Sequence, residues 1–335
     1  MFSAIRMLGA LACRALPLLA AAVTTAALPA AAVAQPYPSS PIKLVVPFAP
    51  AGGTDAVARA VAQSLSRQLG QTVVVENRPG AAGALGTMNV VRAKPDGYTL
   101  LLGSNGPIAV SPSLDPKLQY DPARDLVAVA GIAAVPFLLA ANKDLPANTV
   151  GELLALARSK PGAINFASPG TGTTNHLVGE LLNTMAKVNM VHIPYKGAAP
   201  AMNDVAGGTV QFMSGDISTL LPMIQGGRLK ALAVTGAARS PLLPSVPTVA
   251  ESGVPGFEAN GWFGLFAPKD TPRDVVTTLS GAVRQALADP EVMERIATLG
   301  GVTMPMPSDT FTDFSAKERT KWKKVIDTNQ IKPGE

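Results

Sequence analysis

The 335-residue chain has a single cysteine, Cys13, which excludes a framework of intrachain disulfides and a cysteine-built metal site. Histidine is nearly as scarce. Only His176 and His192 occur, so no H-E-x-x-H metal motif can form, and neither a G-x-S-x-G elbow nor a G-x-x-x-x-G-K-[ST] loop is present. Charged residues make up 15% of the chain and aromatics 5%, a profile that fits neither a disordered chain nor a coiled coil. The 28 basic residues exceed the 23 acidic ones only slightly and are scattered rather than striped, which argues against nucleic acid as a partner. That small excess would suit an anionic ligand, but ordinary surface charge is the better reading of it. What the chain does have is 47% hydrophobic residues punctuated by 31 glycines and 30 prolines, the composition of a globular protein with many turns. A single core seldom grows beyond about 250–300 residues, so two lobes are expected.

Residues 1–34 differ from the rest. Arg6 and Arg14 are their only charges, an apolar stretch runs from Leu16 to Ala34, and Ala32-Val33-Ala34 offers small residues where a signal peptidase would cut. Export with cleavage before Gln35 is expected. The alternative, a membrane anchor, has length enough but is interrupted by Pro17, Pro29 and Thr24-Thr25. Cys13 follows Ala10-Leu11-Ala12 and lacks the Leu expected three residues ahead of a lipidated Cys, so the mature chain would carry no lipid and no thiol. An exported chain without disulfides points to a periplasm.

From Pro41 onward β-branched runs alternate with helical periodicity. Ile42 to Val46 reads as a strand and Thr54 to Leu69 as a helix, with Val57, Val61, Leu65 and Leu69 at four-residue spacing, Thr54 as its cap and Gly70 as its stop. Val73–Val75, Gly83–Ala93 and Tyr98–Leu102 complete a βαβαβ unit and imply a parallel sheet. Leu126 to Ala141 is apolar but broken by Gly131 and Pro136, and fits a long strand passing between lobes. A second α/β series follows: helix 150–158, strand 164–168, helix 176–185, strand 190–194, helix 198–206, strand 210–214, helix 218–225 and strand 229–235. Phe257 to Ala267 would carry the chain back, and helices over 272–299 and 309–326 would finish the first lobe. The expected division is residues 35–138 plus 256–335 for one lobe and 139–255 for the other, joined by two crossing strands around a cleft that traps a ligand.

Two strand-to-helix loops could carry chemistry. The first, Pro47 to Asp55, contains Phe48, Gly52, Gly53, Thr54 and Asp55; its glycines let a ligand approach the backbone, and free amides at the helix start suit an anion. The second, Ser168 to His176, contains Ser168, Gly170, Thr171, Gly172, Thr173 and Thr174. Either alone could be a plain capped turn. In open α/β sheets ligands sit at the carboxyl ends of strands, so both loops should face one cleft and clamp a carboxylate. Ser104 and Asn105 could line its floor or form an ordinary turn. Asp216 could receive a hydroxyl or ammonium, or cap the helix near Ser218. Asp55 could cap its own helix or order waters against the ligand. His176 reads as a structural hydrogen bonder near a helix start rather than a base, and His192, inside an apolar strand, as structural. Gly80-Ala81-Ala82-Gly83-Ala84-Leu85-Gly86 has the wrong spacing for a dinucleotide loop. No cofactor or metal is expected.

Val45-Val46-Pro47-Phe48 with Gly52-Gly53-Thr54-Asp55, Val75-Glu76-Asn77-Arg78-Pro79-Gly80-Ala81 and Lys94-Pro95-Asp96-Gly97-Tyr98-Thr99-Leu100 form an ordered set of motifs. It continues through Gly170-Thr171-Gly172-Thr173, Val191-His192-Ile193-Pro194-Tyr195-Lys196-Gly197, Gly215-Asp216, Leu229-Lys230-Ala231-Leu232-Ala233-Val234-Thr235 and Pro247-Thr248-Val249-Ala250-Glu251. Over residues 38–330 the chain resembles the substrate-binding proteins of tripartite tricarboxylate transporters, the Bug family. The resemblance implies a type II periplasmic binding fold, with a ligand carboxylate held by backbone amides and ordered waters of the loops around Phe48–Asp55 and Gly170–Thr174. Ligands in the family include dicarboxylates, tricarboxylates, acidic amino acids and aromatic acids. After Ser104 the chain departs from the commoner pattern, with Asn105-Gly106-Pro107 and Ser111-Pro112 where further asparagines often stand. The expected protein is a monomeric, non-enzymatic periplasmic receptor that delivers a small carboxylate to a two-component membrane permease. An exported hydrolase and a sensory binder without a permease are the alternatives.

Overall fold

The computed structural model describes residues 37–333; the expected leader, 1–34, lies outside them. Strand β1 (Ile42–Val46) leads into α1 (Gly53–Leu69), which buries Val57, Val61 and Leu65 and stops at Gly70 with φ 65°. Its N-cap is Gly52, without a side-chain cap, so the capping role expected for Thr54 is not used. Strand β2 (Val73–Asn77), a 3₁₀ turn at Ala81–Gly83, α2 (Ala84–Val91) and β3 (Thr99–Ser104) complete the first unit. Both β2 and β3 pair with β1 in parallel. The glycine at 86 has a packing cause: a Cβ there would lie 2.7 Å from Pro47 Cα, because α2 rides directly on the loop after β1.

Beyond β3 the chain is helical rather than an ordinary turn. A π-helical turn (Gly106–Val110) runs into α3 (Ser111–Leu114), and α4 (Pro122–Asp125) precedes β4 (Leu126–Asn142), a single 17-residue strand almost wholly buried. Its Gly131 accommodates a crossing segment, since a Cβ would meet Met304 O at 2.7 Å. Then follow α5 (Val150–Ser159), β5 (Asn165–Ser168), α6 (Thr174–Ala186), β6 (Val191–Pro194), α7 (Ala198–Ala206), β7 (Phe212–Asp216), α8 (Ile217–Gln225) and β8 (Leu229–Val234). Next come β9 (Asn260–Pro268), α9 (Arg273–Ala286), α10 (Pro290–Ala297), β10 (Val302–Thr303) and α11 (Ser308–Thr328). The returning strand begins at Asn260 rather than Phe257, and α6 begins two residues before the expected His176, because Thr173 caps it by accepting from the His176 amide.

All ten strands join in one sheet of order β2-β1-β3-β9-β4-β7-β5-β6, with β8 and β10 also on β4. It is mixed, not purely parallel: β9 runs antiparallel to β3 and β4, and β7 and β8 run antiparallel to β4. The first half of β4 pairs with β9 as far as Pro136, and from Phe137 its second half pairs with β7 and β8. One apolar cluster surrounds β1, α1, α9 and α10, another lies between β7, β8, α7 and α8, and a third includes Leu101, Phe166, Phe212, Phe311 and Trp322.

Candidate functional site

Strand direction brings the two sets of carboxyl ends toward one another. Strands β1 to β3 run in the direction of β4, whereas β5 to β7 run against it. Because β4 passes from the first set of neighbours to the second, the ends of both sets meet near its middle. Registers locate the junction. Ser104 at the end of β3 faces Phe263, which faces Ala133 of β4, while Asp216 at the end of β7 faces Phe137. Four residues of strand separate these levels, about 13 Å at 3.3 Å per residue, the span of a small molecule.

The loop after β1 is held by Asp55. Its carboxylate is 4% exposed and accepts from the Ala51 amide (3.0 Å), Arg59 Nε (2.9 Å) and Asn77 Nδ2 (2.9 Å). Asn77 also donates to Phe48 O at 3.1 Å, stitching the loop to the end of β2. Burial alone would raise the Asp55 pKa, but the Arg59, Asn77 and Ala51 hydrogen bonds outweigh it and leave the carboxyl below its ordinary value. Asp55 is therefore a brace, fully engaged, rather than a group free to order waters. Gly52 and Gly53 are exposed and Thr54 is partly so. Among the described residues the amides of Gly53, Thr54 and Asp55 have no acceptor.

In the loop after β5 several expected donors are spent internally. The Gly172 amide donates to His176 Nδ1 (3.1 Å), the Gly170 amide to Ser168 Oγ (3.2 Å), and the Thr173 hydroxyl to Gly170 O (2.8 Å). The backbone amides of Thr171, Thr174 and Asn175 remain without acceptors among the described residues. Behind the loop, His176 and His192 stack at 3.6 Å between centroids and 14° between planes, and His192 Nε2 lies 2.7 Å from Ser168 Oγ. Burial, then the neighbouring His176, pushes the His192 pKa down to about 3. A neutral His192 tied to a serine that itself braces the loop agrees with the structural role expected for both rings.

The segment after β3 lies between the two loops. Asn105, 3% exposed, donates to Thr174 Oγ1 at 3.3 Å, directly linking Ser104-Asn105 to the second loop. Leu114 packs against Gly172, and Pro107 and Phe48 both flank Gly83. No hydrogen bond joins loop 47–55 to loop 168–174 among the described residues. Sequence reasoning missed Ser214, whose buried hydroxyl has no partner, and the side chain of Asn175, whose Nδ2 donates to Ser214 O at 3.2 Å. The available signal was Ser214-Gly215-Asp216 itself, small and polar residues at the end of an apolar strand. Asp216 occupies the N-cap of α8, yet its side chain caps nothing.

Two surface grooves lie elsewhere. One of about 730 Å³ is bounded by Lys43, Glu76, Arg78 and Arg92, and its Lys43 and Arg78 are already paired with Glu76. The other, about 980 Å³, runs beside α9 and the start of α11. Neither includes a residue of the expected site. Among the described residues, no cluster of His, Cys, Asp or Glu is suited to a metal ion, and no helix is long and apolar enough to cross a membrane.

Opposed carboxyl edges around one long shared strand define a receptor of the periplasmic binding protein class. The chain belongs to the tripartite tricarboxylate transporter family receptors, whose family model matches residues 57–331. It is 39% identical over 307 residues to Protein BugT of Bordetella pertussis, covering 91% of this chain and 94% of that one. Solved structures agree. The periplasmic binding protein BugD is 38% identical with a TM-score of 0.71, covering 88% and 99% of the two chains. The R. palustris protein Rpa4515, solved with adipate, is 36% identical with a TM-score of 0.74, covering 89% and 100%. MatC from Rhodopseudomonas palustris, solved with malate, is 34% identical with a TM-score of 0.69, covering 87% and 100%.

Proposed function

We propose that this protein is a periplasmic receptor that captures a small organic carboxylate between its two halves and delivers it to a two-component membrane permease. The observation that carries this reading is the pair of opposed loops whose backbone amides, Gly53–Asp55 on one side and Thr171, Thr174 and Asn175 on the other, point off helix starts without partners. Such amides hold carboxylates without cationic side chains, and neither loop contains Lys or Arg. Relatives solved with adipate and malate support the same ligand class. Residues 35–138 with 256–335 form one moving half and 139–255 the other, and residues 1–34 are removed after Ala34. The mature chain acts as a monomer, without a cofactor. Catalysis by histidine is disfavoured because His176 is buried, His192 is half-buried against it, and the two stacked rings are bonded to the loop they support.

A thermal-shift screen of residues 35–335 against mono-, di- and tricarboxylates, acidic amino acids and aromatic acids tests this reading. A ligand at a hundred times its dissociation constant should stabilise by about 2.7 kcal/mol. Failure of every acid, or ester turnover that disappears on changing either histidine, would overturn it. A receptor that binds an acid but whose gene deletion leaves uptake intact would be a sensor instead.

A further inference from the structure

Polar groups at the junction have no partner within the fold. Asn105 Oδ1 and Ser214 Oγ have no hydrogen-bond partner, although their residues are 3% and 1% exposed. Both belong to the junction: Asn105 reaches from the end of β3 to Thr174, and Ser214 lies on β7 beside Asn175. Asp216 stands two residues beyond Ser214, so the two side chains leave β7 on the same face. Its carboxylate forms no hydrogen bond or ion pair among the described residues, and although it stands at the N-cap of α8 it accepts nothing from that helix. The side chain reaches solvent, yet the walls around it desolvate it and raise its carboxyl above the ordinary value; no cation opposes that effect. The junction that offers free amides to an anion thus carries a carboxylate of its own. A simple diacid would bring like charge against it.

We infer that Asp216 is a specificity-determining residue that selects a carboxylate also bearing a cationic amino group, the ammonium donating to Asp216 while the carboxylate rests on the free amides. The inference rests on the carboxylate reading above. An ammonium has three donors and a full positive charge, so it can answer the unpaired carboxylate of Asp216 with both a hydrogen bond and an opposite charge. A hydroxyl would leave the charge of Asp216 uncompensated.

The test is calorimetric titration of residues 35–335 with matched probes differing in one substituent: succinate, L-malate and L-aspartate; glutarate and L-glutamate; butyrate and 4-aminobutyrate. The amino member should bind roughly ten- to a hundredfold tighter than its parent acid in at least one set, the worth of a charged hydrogen bond. Asp216→Asn should erase that preference while the parent acid binds as well or better. The variant should melt with the wild type, because the side chain holds nothing in the fold. Parent acids binding as tightly as amino members in every set, or a preference that survives Asp216→Asn, would overturn the inference and leave the carboxylate receptor standing. Binding of no probe and of no acid in the wider screen would bring down both.

Discussion

Replacing Gly172 with alanine perturbs the second loop at its least tolerant position. Gly172 has φ +79°, and a Cβ there would lie 2.1 Å from Leu114 Cδ2. The left-handed backbone costs a residue with a side chain about 1–2 kcal/mol. Carbon atoms in contact sit about 3.5–4.0 Å apart, so Leu114 must retreat by roughly 1.5 Å into a packed neighbourhood, an overpacking cost of about 1–3 kcal/mol. The two costs together are about 2–5 kcal/mol. They fall on the loop that also holds the His176 contact and the free Thr171 amide, so a lowered melting temperature and weakened ligand binding should appear together. Adding Leu114→Ala removes the collision but not the backbone strain, and should recover about 1–3 kcal/mol relative to Gly172→Ala alone. Thermal melting and calorimetric titration with the best acid from the screen measure both parts. Wild-type melting and affinity in Gly172→Ala, or no recovery in the double variant, would refute the reasoning. Gly53→Ala should be the milder change, because its Cβ would meet only the movable end of Leu299, at 3.0 Å.

Thr173→Val removes the cap of α6 and the bond to Gly170 O, and should cost about 0.5–2 kcal/mol of stability, seen as a lower melting temperature. A loss of affinity without a loss of stability would instead make the hydroxyl a ligand donor. His192 sets a pH dependence. Its pKa is near 3 in the folded chain and about 6.5 when unfolded, so between these values only the unfolded state takes up the proton. Stability should therefore fall as pH drops from about 6.5 toward 3, by up to about 1.4 kcal/mol per pH unit, with no contribution above 6.5. His192→Gln should flatten that part of a melting profile, and an unchanged slope would count against a half-buried neutral imidazole. Amino-terminal sequencing of protein recovered from the periplasm should begin at Gln35, whereas an intact membrane-bound chain would refute cleavage.

Local signals carried most of the element map. Four-residue apolar spacing marked α1, Gly70 marked its end, and the long apolar run from Leu126 marked β4 in spite of Gly131 and Pro136, since periodicity and turn chemistry act over a few residues and are written directly in order along the chain. Recurring motifs around Gly52-Gly53 and Gly170-Thr171-Gly172 likewise exposed the two loops and the family. What each polar atom does there was decided by residues distant in sequence. Asp55 became a brace because Asn77 reaches it from β2, and the Gly172 amide was spent because His176 turns back on it one helical turn later. Thr173 became a cap because α6 starts earlier than its apolar face suggests. Strand direction was tertiary as well: β9 and β7 run against β4, and only that pairing turns two sets of carboxyl ends toward one junction. Hydrogen bonds are short-ranged and each donor or acceptor has few places. A sequence supplies the groups, and the packed structure determines which remain free; here that distinguishes the engaged carboxylate of Asp55 from the unengaged carboxylate of Asp216.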